Sequence, residues 1–288
     1  MDVKQYRKRY EAELAKAGEP KRRADEGADE PAARAEAIAA APLEPDDLAE
    51  RVPELLGTLR DRDEAIAVRA AALDALAALD FLGPRFEPFR ADYRQALRDV
   101  ATDPRRELRE SALELLAIEK DPWAQDLLMR GLKQPEDAVV PEAKAIQLLG
   151  YDDHAEIVPL AQEVFERSTG TAREEALRVL ATDPQSAQLF TRLLKDKSET
   201  ASIRAISASG LQSLDPAAFE KTARKIVTDE TDYNEIRATT LAALAHGRES
   251  REKPADPKFV ETVQQLTGKT RSTAMRASIR RYLQSTQE

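Results

Sequence analysis

Six arginines recur at one position of a repeated motif: Arg69, Arg109, Arg173, Arg204, Arg237 and Arg276, with Glu142 in the same place in a seventh copy. A column of guanidinium groups could bind anions, since each offers a planar fork of donors that suits carboxylate or phosphate. Other reactive residues are few. His154 stands among Asp152, Asp153 and Glu156, oxygen ligands that could hold a hard cation. No second histidine or thiolate accompanies it, and helix capping accounts for Asp153. His246 precedes Gly247 at a helix end, where a cation is favoured. The chain has no cysteine, which excludes disulfides, thiolate zinc sites and thiol nucleophiles. Neither histidine has the serine and aspartate context of a triad, and no glycine-rich phosphate loop is present. Carboxylate pairs such as Glu174 and Glu175 read as a solvated helix face. From these residues no catalytic group, metal site or cofactor is expected, and the chain reads as a non-enzyme.

The elements that carry the column follow from its spacing. The steps from Arg69 are 40, 33, 31, 31, 33 and 39 residues. After each column residue comes a small or apolar residue at +3 and Leu or Ile at +7, or a close variant, as in Ala72, Leu73 and Leu76 after Arg69. Self-similarity at this period means stacked units, each able to bury its apolar face only against its neighbours. In the first unit, residues 52–59 form helix A with Val52, Leu55, Leu56 and Leu59 on one face, and residues 66–79 form helix B. A second mark repeats between units: Asp121-Pro122, Asp183-Pro184 and Asp215-Pro216, with Asp152-Asp153 in the equivalent place. Aspartate caps the following helix and proline suits its first turn.

The array begins near Asp47, so residues 47–288 are expected to form one solenoid and residues 1–46 an N-terminal helix with a charged linker. In residues 2–17, Val3, Tyr6, Tyr10 and Leu14 lie on one side of an amphipathic helix that caps the first unit or docks elsewhere. A short alanine-rich helix is expected at 32–41. The net charge of −9 and pI of about 5.1 disfavour nucleic acid and anionic lipid as partners of the whole surface. No stretch resembles a signal peptide or membrane span, and a cytoplasmic protein is expected.

Residues 52–76, with Pro53, Asp63, Val68 and Arg69, resemble the HEAT-repeat family and so the armadillo-like α-solenoids. The resemblance covers roughly 47–285. It implies an all-α fold, a right-handed α-α superhelix of about seven helix pairs. It also implies that the column arginines pair with turn aspartates of neighbouring units, a structural ladder rather than a ligand site. Glu142 breaks the ladder, so weaker stacking is expected there. Glu142→Arg is then expected to raise thermal stability if Asp137 or another acid lies within reach.

In such arrays helix B generally lines the concave side. Its outward positions are Glu110 and Glu114, Lys144 and Gln147, and Glu174, Glu175 and Arg178. This floor leans acidic and would suit a basic helix or peptide. The expected function is therefore a non-catalytic scaffold or adaptor that binds another protein through this face. Two alternatives carry the family likeness in other directions: a nucleic-acid-binding array resembling DNA alkylation-repair glycosylases, and a bilin-lyase-like protein.

Overall fold

Leucine and alanine at helical spacing, with aspartate-proline stops, build the molecule. The computed structural model describes residues 29–41, 47–152, 157–249 and 256–286. Among them the regular structure is fifteen α-helices with short 3-10 turns and no strand. A single helix, α1 (Asp29–Ala40), is followed by seven pairs. They are α2 (Leu48–Arg60) with α3 (Ile66–Asp80), α4 (Arg90–Val100) with α5 (Arg106–Ile118), and α6 (Pro122–Lys133) with α7 (Glu142–Leu149). Next come α8 (Ile157–Arg167) with α9 (Gly170–Leu180), α10 (Ala187–Lys195) with α11 (Ala201–Leu214), α12 (Pro216–Thr228) with α13 (Asn234–Glu249), and α14 (Pro257–Lys269) with α15 (Thr273–Gln284). Among the described residues the chain is thus all-α, its helices following one another in pairs. The helix expected at 2–17, the linker up to residue 28, and Asp153, His154 and Glu156 lie outside the described residues. No helix among the described residues is long and apolar enough to cross a membrane.

The chain divides into two compact parts, one ending at Ala96 and the other starting at Leu97, within α4. In the first part α2 buries Leu48, Val52, Leu55, Leu56 and Leu59, and α3 buries Val68, Ala72, Leu73, Leu76 and Leu79. α1 packs on α3. It starts three residues earlier than expected, with Pro31 in the first turn, where a missing N–H breaks no helical bond. The aromatic junction after α3 turns inward through two 3-10 turns, Gly83–Arg85 and Glu87–Phe89. Phe86 and Tyr93 are buried edge-to-face, 5.5 Å between ring centres, whereas Phe81 is 75% exposed.

In the second part each helix B from α5 to α15 packs on the helix B of the next pair, while α10, α12 and α14 pack in sequence on the other side. The junction aspartates cap as their spacing predicts. Asp121 accepts from the Ala124 N–H at 3.1 Å and Asp215 from the Ala218 N–H at 2.9 Å, with Pro122 and Pro216 opening the helices. Asp256 does the same for α14 through the Lys258 N–H at 3.0 Å. These bonds satisfy donors that a helix start leaves without partners.

Candidate functional site

The column arginines open helix B, and five of the six bond back to the carbonyls at or just after the end of helix A in their own pair. Arg69 Nε donates to the Leu59 carbonyl at 3.0 Å, Arg204 Nε to Leu194 at 3.0 Å, and Arg237 Nε to Val227 at 3.1 Å, each ten residues back. The carbonyls at a helix end lack intrahelical partners, so the guanidinium satisfies them. Arg109 and Arg276 reach the Asp103 and Thr270 carbonyls instead, at 2.6 and 3.1 Å. Two arginines also reach forward to the turn of the next pair. Arg173 grips Glu199 with two bonds of 2.8 and 2.7 Å and lies 4.5 Å over the Phe165 ring. Arg204 grips Asp232 at 2.7 and 2.6 Å, with both side chains almost wholly buried.

Charge follows this geometry. The hydrogen bond from Arg173 holds the Glu199 carboxyl below the usual carboxylate range. Burial pushes Asp232 up, but bonds from Arg204 and from the Tyr233 N–H outweigh it, and the group sits below its ordinary value. All the arginine contacts named here are internal to the protein. One more arginine belongs with them. Arg34 of α1 donates to both Glu64 oxygens, at 3.2 and 2.6 Å. Glu64 stands five residues before Arg69, as Glu199 stands before Arg204 and Asp232 before Arg237.

Pair 3 reverses the polarity. Glu142 accepts from Arg167 Nη2 at 2.5 Å and from the Ser168 hydroxyl at 2.6 Å, both at the turn of the next pair. Arg167 also donates to the Leu132 carbonyl at 2.8 Å, ten residues before Glu142. A guanidinium therefore bonds the same kind of carbonyl but comes from the following pair. Glu142, expected to break the ladder and to gain from replacement by arginine, thus has a base as its partner, and an arginine at 142 would face Arg167.

The outward helix B residues are also engaged. Glu110 pairs with Arg106 at 2.8 Å, Glu114 with Lys144, and Arg178 with Glu175 at 2.8 Å and Glu174 at 3.9 Å. Gln147 is exposed. The floor expected to draw a basic partner is thus paired within the protein. Each of its four carboxylates has a cation beside it, and in the case of Glu114 the cation comes from the next repeat. Charge neutralised within a surface attracts an opposite charge weakly.

The unbalanced charge lies on the helix A side. Between α10 and α12 runs an open cleft of about 200 Å³, lined by Thr191, Lys195, Ala218, Lys221, Thr222 and Lys225. Lys195 approaches from α10, and Lys221 and Lys225 stand one turn apart on α12. Among the described residues none of the three lysine side chains has an ion pair or hydrogen bond. α10 contains no acid, and Glu220 of α12 is bonded to Arg224 at 2.6 Å. On the floor, Thr191 gives its hydroxyl to the Ala187 carbonyl at 3.0 Å. Thr222 is only 4% exposed, and its hydroxyl has no partner among the described residues. Lys195 and Lys225 lie in the last turns of their helices, where a cation also stabilises the helix end. Lys221 has no such structural reason. Sequence reasoning missed this cluster because its members are spread over two helices, each of which reads as an ordinary wet face. The available signal was the absence of any acid from residues 187–195.

No family model and no curated protein matches the chain. Among solved structures the chain is similar to human deoxyhypusine hydroxylase in complex with glycerol, at 13% identity and a TM-score of 0.38, over 83% of this chain and 96% of that one. That protein is an enzyme, which corrects the expectation of a non-catalytic scaffold or adaptor. The likeness is too distant to bring a substrate or a reaction to this chain.

Proposed function

We propose that this protein recognises an acidic segment of another polypeptide, as partner or as substrate, through the first-helix side of pairs 5 and 6. The observation that carries the reading is the cluster of Lys195, Lys221 and Lys225 around one cleft, without a carboxylate partner. The chain as a whole has a net charge of −9, so three unpaired cations in one place stand against the general field. Three unpaired ammonium groups repel one another and gain from a shared anion. Such a contact speeds and orients docking as well as holding it.

The test is fluorescence anisotropy with a labelled peptide rich in Asp and Glu. The variant carrying Lys195→Gln, Lys221→Gln and Lys225→Gln should bind roughly tenfold or more weakly, because it lacks three rim charges. Lys133→Gln, on α6 and outside the cleft, should bind as the parent does. Binding by the parent should fall as salt rises from about 50 to 300 mM, a range over which surface charge is increasingly screened. Equal affinity of the triple variant and the parent defeats the reading.

A further inference from the structure

The cleft between α10 and α12 is shaped for a more definite anion than a carboxylate. Resting on the reading above, the geometry points to a phosphorylated side chain of the bound polypeptide, its phosphoryl group seated among Lys195, Lys221 and Lys225 over Thr222. Four observations converge. The cations come from two helices and face one concavity rather than lying along one line. All three are lysines, compact point charges that can gather around one multiply charged oxyanion. The floor is made of small residues, Thr191, Ala218 and Thr222, which leaves room for a tetrahedral group in about 200 Å³. The Thr222 hydroxyl, on a side chain 4% exposed, has no partner among the described residues and lines this space. Open to the cleft and without a protein acceptor among the described residues, this hydroxyl can donate to a phosphoryl oxygen. A phosphoryl group carries about −1.5 to −2 charges and three acceptor oxygens, against one charge and two oxygens for a carboxylate. Three ammonium groups and a hydroxyl match the former better.

Three labelled acidic peptides, identical except for a central serine, aspartate or phosphoserine, distinguish the possibilities with the intact chain. The phosphoserine peptide should bind about tenfold more tightly than the aspartate peptide near neutral pH, from its greater charge. Because its second ionisation lies near pH 6, that preference should shrink by several-fold between pH 7.5 and 5.5, while the aspartate peptide, fully ionised over this range, changes little. Lys221→Gln should remove most of the preference. Thr222→Val, nearly isosteric, should reduce it without loss of helix content by circular dichroism. If the aspartate and phosphoserine peptides bind alike, the phosphoryl site is refuted and the acidic-segment reading stands. If none of the three binds, both fall. If vesicles containing a phosphoinositide bind and the phosphopeptide shows no preference, the phosphoryl group belongs to a lipid and the polypeptide assignment is overturned.

Discussion

Glu142 and Arg167 lie 2.5 Å apart and repeat, with the charges exchanged, the contact that Arg204 and Asp232 make two pairs later. In both places a guanidinium bonds the carbonyl ten residues before the column position, Leu132 in one case and Leu194 in the other. What the array keeps is the position of the guanidinium between pairs. Which helix supplies it is free to vary, because the carbonyls of a helix end need a donor whatever its origin.

Glu142→Arg should therefore destabilise the protein, since it sets two guanidinium groups together and takes the acceptor from Ser168. Both side chains are more than a third exposed, so screening keeps the effect near 1 kcal/mol, a melting shift of roughly 2–4 °C in a protein of this size. Thermal unfolding followed at 222 nm measures it. The exchange Glu142→Arg with Arg167→Glu should recover most of the loss. A rise in melting temperature for the single variant would contradict the reversed polarity.

The Arg204–Asp232 pair is the buried counterpart. Arg204→Met alone leaves the Asp232 carboxylate without its partner in a site excluded from water and should remove about 3–5 kcal/mol in urea unfolding. Arg204→Met with Asp232→Leu removes both charges and should lie much closer to the parent. Equal losses in the single and double variants would show that the contribution comes from the shape of the arginine and not from the pair.

Acid should loosen these same joints. Glu199 and Asp232 have folded-state values below their ordinary values of 4.5 and 3.8. As the pH falls the unfolded chain takes up these protons first, so the stability they add is complete above the unfolded values and is lost as the pH drops through the folded ones. The urea midpoint should thus be nearly flat between pH 7 and 5.5 for these groups and decline below about pH 4.5. The Arg204→Met, Asp232→Leu variant should decline less steeply. An identical slope in the two proteins would remove Asp232 from the account.

The helix pairs were legible because their signal is local. Ala72, Leu73 and Leu76 recur at fixed offsets from Arg69, and Asp121 stands next to Pro122. Contacts between repeats are not local in this way. Arg167 is 25 residues from Glu142 and Lys144 is 30 from Glu114, so each side chain alone reads as a solvated charge. Arg34 escaped the column for a different reason. It sits in a lone helix before the first pair, and its bond to Glu64 becomes visible only once α1 lies on α3. The lysine cleft was hidden in the same way, with Lys195 and Lys221 brought together by the packing of α10 against α12.

Packing between α10 and α11 gives a last expectation, where two effects oppose each other. Gly210 lies inside α11, and replacing glycine by alanine within a helix ordinarily adds up to about 1 kcal/mol. A Cβ at Gly210, however, would stand 2.7 Å from Cε1 of Phe190, whose ring is fully buried and has little space in which to retreat. Overpacking of that kind costs about 1–3 kcal/mol, so the clash should win and Gly210→Ala should lower stability. Gly57 is the control: it lies within α2, is exposed, and a Cβ there meets nothing within 4 Å. Gly57→Ala should stabilise by about 0.5–1 kcal/mol. Adding Phe190→Leu to Gly210→Ala relieves the ring contact and should recover part of the loss, unlike Phe190→Leu alone, which leaves a cavity and should destabilise. If Gly210→Ala stabilises as Gly57→Ala does, the ring has room to move and the close approach of α10 to α11 does not depend on the glycine.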